Sequence, residues 1–586
     1  TIGGVVEARM MRSHFADGED YKRHGQIFVA GRSVDQGYSS GGITSVANDR
    51  IRFHVLGSVD RGDDRDYPEG TVRSTEYDRE LSGMGLGYRT AGDTYGFNFR
   101  HTDTGRSGNP SLPMDIAYMN TETAEARHVT DRWSTPLKLQ LNWNDVEHRM
   151  DNYGLRPVPD FNDMMNPGPA FDGEDRRFVF ATSHDVGFGL SSSVPYGNAS
   201  LRYGLEFSRR EHNATVYDPD SSFFVDAFEQ NERDVTSGYL EWSGPLSSAW
   251  TAKGGIRFTH VDMIARVPSA DVPMSSGGAT PAPLERLRQE FIASDRDRSD
   301  LNVDLQTELE RRINRTLTVS LALARKNRSP SYIERFAWVP IEATGGLADG
   351  NNYVGNVDLD PETSRDVELS IEWTPENAYV TPRFFYRDVE GYIQGTPFDS
   401  TSNTIDSDEE MVSNVNGDPT PLKYRNVDAR IYGADATWGY DLPRWRNLRL
   451  DGTLSYLRGR RKDISDNLYR FAPSQADVQV SYRPERWLFA MEGEFVDEQD
   501  DVSATNDEPP TPGYGLMNLR ARWYYDEATT VSLGLNNVFD KTYREHLAGF
   551  NRVSDSDVPT YDDRPTAESR IPGNERNLVL TLNYAW

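Results

Sequence analysis

Segments of about ten residues in which apolar and polar side chains alternate recur along the whole sequence, and they constrain the fold most. Clear examples run over residues 51–56, 137–144 and 317–323. A period of two is the spacing at which successive side chains of a β-strand point to opposite faces of a sheet. We count roughly 22 such segments, and strands of soluble proteins average only about five or six residues. A tilted strand that crosses a bilayer needs about ten. The sequence therefore predicts a transmembrane antiparallel β-barrel of about 22 strands, with a soluble all-β protein as a distant alternative.

The last residues of the chain form one such segment and end on an aromatic side chain. Its apolar face consists of Leu578, Leu580, Leu582, Tyr584 and Trp586. The last strand of a barrel pairs with the first, which removes both free edges of the sheet. We therefore predict that these five residues belong to the barrel-closing strand.

Tryptophans near the segment ends favour the same architecture. Aromatic side chains form girdles where a barrel meets the two membrane interfaces. We assign seven residues to these girdles: Trp143, Trp242, Trp250, Trp373, Trp438, Trp487 and Trp523.

The connections between segments fall into two length classes. Short turns are predicted at residues 90–92, 191–196, 312–314, 375–377 and 484–486. Long loops rich in Asp, Asn, Pro and Gly are predicted at residues 151–174, 265–296, 327–362, 395–423 and 542–575. Barrels of this kind have short periplasmic turns and longer extracellular loops. The two length classes therefore predict that the long loops face the outside of the cell.

Composition excludes several other classes of protein. The mean hydropathy is −0.69, and we find no run close to the ~20 apolar residues of a spanning helix. A net charge of −29 argues against nucleic acid as a partner. The absence of cysteine excludes disulfides and thiolate sites. No nucleophile, base and orienting acid occur at an informative spacing, so we predict that the protein is not an enzyme and requires no cofactor.

Four stretches resemble the TonB-dependent receptors of bacterial outer membranes. They are residues 328–350, 385–395, 426–435 and 531–547, the last together with the terminal strand. The resemblance implies a barrel that takes up a scarce ligand at the outer membrane, using energy that the TonB complex delivers. It also implies contact with outer-membrane lipid and lipopolysaccharide.

The chain departs from this family at its N-terminus. Such receptors begin with a TonB box and a plug domain that fills the barrel, and we find neither in this sequence. Residues 1–6 resemble the end of a plug, so we assign residues 1–21 to a plug remnant and linker and residues 22–586 to the barrel. The plug is lost, is a separate chain, or never existed. The alternative function is therefore a plug-less pore, or a barrel scaffold for a partner protein, that TonB does not energise.

A histidine and a methionine define the candidate ligand site. His148 and Met150 share the polar face of one segment, and an imidazole and a thioether two residues apart can bind a soft metal, above all Cu(I). Residues 142–152 and 112–116 resemble the copper-receptor branch of the family, which adds Met114 as a further candidate. In that branch the remaining ligands, including a cysteine, come from the plug. The alternative interpretation is a polar histidine beside a methionine that packs against a loop.

Two acidic runs are candidate calcium sites. Residues 60–66 and 497–501 carry enough carboxylates to bind Ca²⁺ or to bridge lipopolysaccharide through divalent ions. The alternative for both is an ordinary solvated loop.

Overall fold

A computed structural model describes residues 11–132, 135–158, 176–271, 281–341, 348–398, 405–415, 418–560 and 566–586. Most of these residues lie in β-strands. The strands are β1 Lys22–Arg32, β2 Tyr38–Ala47, β3 Ile51–Gly62, β4 Arg65–Tyr67, β5 Gly70–Val72, β6 Tyr77–Thr90, β7 Asp93–Ser107, β8 Asp115–Thr130, β9 Leu137–Asp151, β10 Phe178–Tyr196, β11 Ala199–Tyr217, β12 Phe224–Pro245, β13 Trp250–Ile264, β14 Ala270–Asp271, β15 Asp297–Arg312, β16 Leu317–Arg328, β17 Tyr353–Val354, β18 Glu362–Trp373, β19 Ala378–Pro397, β20 Leu422–Asp441, β21 Leu448–Arg461, β22 Gln475–Tyr482, β23 Trp487–Val496, β24 Tyr514–Tyr524, β25 Thr529–Asn536 and β26 Asn577–Ala585. The helices are α1 Pro281–Ala293, α2 Tyr332–Phe336 and α3 Asp408–Val415.

One sheet closes into a barrel. It contains 24 strands, of which β14 and β17 are two-residue pairings within loops. The other 22 form the antiparallel barrel, because β26 pairs with β1 and places Ile27 opposite Tyr584 and Val29 opposite Leu582. The predicted fold class and the predicted closing strand are therefore confirmed.

The barrel wall is apolar outside and polar inside, as the alternation predicts. Leu578, Leu580, Leu582, Tyr584 and Trp586 are each more than 40% exposed on the outer face. On strand β9 the opposite face carries polar residues such as Lys138, Gln140 and Asn142, which line a cavity inside the barrel. No helix within the described ranges is both long and apolar enough to cross a membrane.

Several of the predicted girdle tryptophans lie at the short-turn end of the barrel. Trp250 and Trp487 begin strands β13 and β23, and Trp373 ends β18. The rings of Trp487 and Trp523 stack with centroids 5.6 Å apart. The assignment of Trp143 to a strand end is wrong: it lies in the middle of β9, because that strand extends well beyond the membrane-spanning length.

The short turns lie where the sequence predicts them, with one exception. Residues 191–196 continue β10 in register with β11, and the reversal occurs at Gly197 and Asn198. Gly197 adopts a φ of 61°, a left-handed conformation that glycine enters without a steric cost. The prediction of a turn at residues 191–196 relies on Pro195, but this proline lies within β10, opposite Ser200 of β11.

The long loops are not merely irregular chain, because three of them contain helices. Helix α1 lies in the loop after β13, α2 in the loop after β16, and α3 in the loop after β19. Phe291 of α1 and Phe336 of α2 pack with the inward-facing Val216 and Met263. The loops therefore fill part of the barrel mouth and pack onto the inner faces of β10 to β13. We call the described loop residues at this end of the barrel the cap.

Candidate functional site

Strands β8 to β11 bring His148 and Met150 to the inner wall beside the cap. His148 lies directly opposite Met119 of β8 and Ala181 of β10. The register that pairs Thr130 with Leu137 continues without a shift to Met119 and His148, so the two side chains share the inner face, and the bulge at Ala117 lies beyond this pair. Directly opposite residues of antiparallel strands have Cβ atoms about 4.5–5.5 Å apart. A thioether therefore accompanies the imidazole, in addition to the thioether of Met150.

The two predicted methionines lie in an apolar environment. Met114 is only 2% exposed and belongs to the same buried cluster as Val179 and Ala181. Met150 packs against this cluster, and it lies opposite Val179. The packing role that the sequence left open for Met150 is thus present, and it places a thioether near His148 on the edge of an apolar cluster.

A second histidine approaches from strand β11. His212 faces inward, and its ring lies 4.6 Å from the ring of Tyr332 and 5.6 Å from that of Phe228, between ring centroids. His212 lies within electrostatic range of His148. Neither imidazole forms a hydrogen bond with any side chain or backbone group in the part of the chain that the structure describes. Their ring nitrogens are therefore free to bind a ligand.

We call Met119, His148 and Met150, together with His212 two strands away on β11, the soft-donor cluster. From the sequence, His148 and Met150 are predicted as ligands, whereas Met119 and His212 are not. The pairing of neighbouring strands brings both residues to this part of the wall, and spacing along the chain does not reveal it. Because the register that begins with Thr130 opposite Leu137 runs unbroken to Met119, pairing β8 with β9 from their connection would have suggested Met119.

Oxygen-rich metal sites are not evident. Among the described residues, no group of three or more His, Cys, Asp or Glu side chains is arranged to hold a metal ion. In the two acidic runs, Asp60 accepts hydrogen bonds from Arg32 and Ser39, and Asp501 forms an ion pair with Arg458. These carboxylates organise loop and wall contacts, and calcium binding by the two runs stays a prediction.

Several buried polar groups of the cap have hydrogen-bond partners. His546 contacts the hydroxyl of Thr511 at 2.9 Å through Nδ1 and Glu508 at 3.1 Å through Nε2. Asp418 accepts hydrogen bonds from the backbone N–H groups of Asn352 and Thr420. Burial nevertheless raises the pKa of Asp418 to about 6.

Comparison with known proteins identifies the architecture. The family described as TonB dependent receptor-like, beta-barrel, matches residues 57–538. No curated protein matches the chain.

Solved structures of receptors and transporters share the fold. The copper transporter OprC is 17% identical with a TM-score of 0.78, over 98% of this chain and 84% of that one. The FrpB iron transporter (F3-3 variant) from Neisseria meningitidis is 12% identical with a TM-score of 0.64, over 96% and 81%. A double mutant of the Serratia marcescens hemophore receptor HasR, in complex with its hemophore HasA and heme, is 13% identical with a TM-score of 0.67, over 96% and 80%.

Proposed function

This chain belongs to the TonB-dependent receptor β-barrels of the bacterial outer membrane, and we propose that it takes up copper or another soft metal ion. The observation that carries the proposal is the soft-donor cluster at the barrel mouth. Two imidazoles without hydrogen bonds and two thioethers are a donor set that suits Cu(I) far better than Ca²⁺ or Mg²⁺. The similarity in fold to a copper transporter supports the same ligand class.

The position of the cluster suits capture at the cell surface. His148 and Met150 lie near the loop end of β9, beneath residues of the cap, so an ion that enters from outside meets them before the rest of the lumen. Release inward then uses the energy that TonB supplies to this family. The outward apolar face contacts outer-membrane lipid, and lipopolysaccharide surrounds the loops.

We further propose that residues 1–21 form a plug end and linker and residues 22–586 the barrel. Residues 1–6 lie outside the described residues, but residues 11–18 are described and follow the inner wall. Arg12 donates to Glu125 of β8, with 2.6 Å to Oε2, and the hydroxyl of Ser13 lies 3.1 Å from Nδ1 of His54. A segment bound to the lumen wall before β1 begins at Lys22 supports a linker that arrives from inside the barrel.

Copper titration of the purified receptor tests the proposal. We expect His148→Ala and Met150→Ala each to weaken Cu(I) binding at least tenfold. The matched control is Asn144→Ala, which removes a polar side chain from the same face of β9 and should leave the affinity unchanged. Equal affinities in all four proteins would show that copper is not bound there.

Uptake measurements separate energised transport from the alternative of a pore or scaffold. An energised receptor accumulates copper only in cells with a functional TonB complex. Accumulation that is the same with and without TonB would favour the pore.

A further inference from the structure

A second site lies deeper in the lumen, on the inner face of strands β9 to β13. There a cavity of about 340 Å³ opens toward the lumen. Its polar lining includes Lys138, Gln140, Asn142, Arg202, Tyr239 and Arg257. This volume is at the small end of the range of pockets that hold small molecules.

The cavity carries an excess of positive charge. Arg257 is neutralised by an ion pair with Glu206, and it also donates to the hydroxyl of Ser237 at 2.6 Å. Lys138 and Arg202 form no ion pair with any carboxylate in the ranges that the structure describes. Glu241 of β12 lies directly opposite Arg202, and Glu125 is within electrostatic range of Lys138, so each of these cations has a carboxylate nearby. Glu206 is nevertheless the one carboxylate among the residues that line the cavity, against three cations.

The cations are close enough to act together. The guanidinium groups of Arg202 and Arg257 lie 5.8 Å and 5.5 Å from the ring centroid of Tyr239. Lys138 lies within electrostatic range of Arg202 and of Arg127. Like charges held this close repel one another unless an anion lies between them.

The wall next to the cavity is acidic, since β15 pairs directly with β13. The faces of β15 and β18 that point into the lumen carry Glu308, Glu310, Glu368 and Glu372. Lys253 of β13 pairs with Glu308 at 3.1 Å, so the cations outside the cavity have partners on that side. The charge of the wall therefore changes sign between the cavity and these neighbouring strands.

We propose that this cavity binds a small oxyanion with two or more negative charges, of the carboxylate or phosphate type. Guanidinium groups bind such oxygens in a planar, two-pronged geometry, and a lysine ammonium adds a point charge. The amides of Gln140 and Asn142 supply uncharged donors on one side of the cavity. Each good charge-assisted contact to an oxyanion is about twice as strong as a neutral hydrogen bond.

The site is separate from the soft-donor cluster. Asn142 and His148 are six residues apart on β9, which corresponds to about 20 Å along an extended strand. The two sites share a strand and a face, but no side chain belongs to both. A variant can therefore lose anion binding and keep metal binding, or lose metal binding and keep anion binding, so the two proposals can be tested separately.

Calorimetric titration of the purified, metal-free receptor with tricarballylate and, separately, with inorganic phosphate tests this proposal. We expect saturable binding of at least one anion, and the stronger of the two identifies the oxyanion type. The double variant Lys138→Gln, Arg202→Gln should weaken that binding at least tenfold. The control Lys253→Gln removes a paired cation outside the cavity and should leave the affinity within twofold, as should His148→Ala.

Two results would overturn the proposal. One is that neither anion binds the wild-type receptor; the cations would then serve acidic side chains of another polypeptide segment. The other is binding that the double variant leaves unchanged, provided that the variant retains the wild-type mobility of a folded barrel on a gel run without heating.

Discussion

A histidine of the cap and two histidines of the inner wall differ in whether their ring nitrogens have hydrogen-bond partners. His546 in the cap is 3% exposed, and both of its ring nitrogens have partners, Thr511 and Glu508. His148 and His212 on the wall are half-buried, and neither has a hydrogen-bond partner within the described ranges. Because a satisfied imidazole stabilises structure and an unsatisfied one can take a ligand, the contrast separates the part that holds the mouth in shape from the part that we propose binds copper.

Other buried groups of the cap follow His546. Arg156 and Asp115 form a two-pronged ion pair with contacts of 2.7 and 2.5 Å, and both side chains are almost fully buried. The hydroxyl of Ser74 donates to the same carboxylate at 2.8 Å. Arg570 donates to the backbone carbonyls of His546 and Ala548. The cap is thus fixed by polar contacts between loops that are distant in sequence.

The largest expected effect comes from breaking the buried ion pair. Asp115→Ala leaves the Arg156 guanidinium buried without its anion, which costs about 3–5 kcal/mol. We expect hydrogen exchange in residues 108–114 and 152–158 to accelerate accordingly, while the barrel strands keep their protection. As a control, Arg365→Ala removes one partner of the exposed ion pair with Glu390 and should leave hydrogen exchange in the same residues unchanged. Unchanged exchange in Asp115→Ala would contradict the description of the cap.

Removing the satisfied imidazole should have a smaller effect. His546→Ala leaves the buried carboxylate of Glu508 without one of its contacts, at a cost of about 1–3 kcal/mol. Exchange in residues 497–513 should accelerate, whereas the affinity for Cu(I) should stay within twofold of wild type. A large loss of copper affinity in this variant would remove the distinction between the two kinds of histidine.

The smallest expected effect is a dependence of the cap on pH. The pKa of Asp418 is raised by burial to about 6, above its ordinary value, so the folded cap favours the protonated carboxyl. The resulting stabilisation is complete below the unfolded pKa and is lost as the pH rises through about 6. Exchange in residues 405–415, corrected for its intrinsic rate, should therefore slow on acidification from pH 7.5 to 5. Asp418→Asn should abolish this dependence, and a pH response that persists in it would assign the effect to another group.

Much of the barrel can be predicted from the sequence. The alternation of each strand is a local pattern, and the pairing of the last strand with the first is required to close the sheet. The alternation that places Leu578, Leu580 and Leu582 on the lipid face turns the residues between them inward. Pairing of β26 with β1 follows because both edges of the sheet need a partner. The position of His148 and Met150 on one inner face follows in the same way.

The rest of the site depends on contacts that the sequence pattern does not contain. Met119 comes opposite His148 through the pairing of β8 with β9, and His212 lies on this part of the wall because β10 holds β9 and β11 in a fixed register. The helices of the cap are also missed, since their apolar faces are satisfied by inward strand residues such as Met263 rather than by a regular pattern of their own.

X-ray absorption of the receptor loaded with one equivalent of Cu(I) tests the central claim most directly, because it reports the atoms bound to the metal. The soft-donor cluster predicts both sulfur and imidazole nitrogen in the coordination shell. His148→Ala should lose nitrogen and Met150→Ala should lose sulfur, whereas His546→Ala should give the wild-type spectrum. A shell of oxygen and nitrogen alone, identical in wild type, His148→Ala and Met150→Ala, would contradict the account.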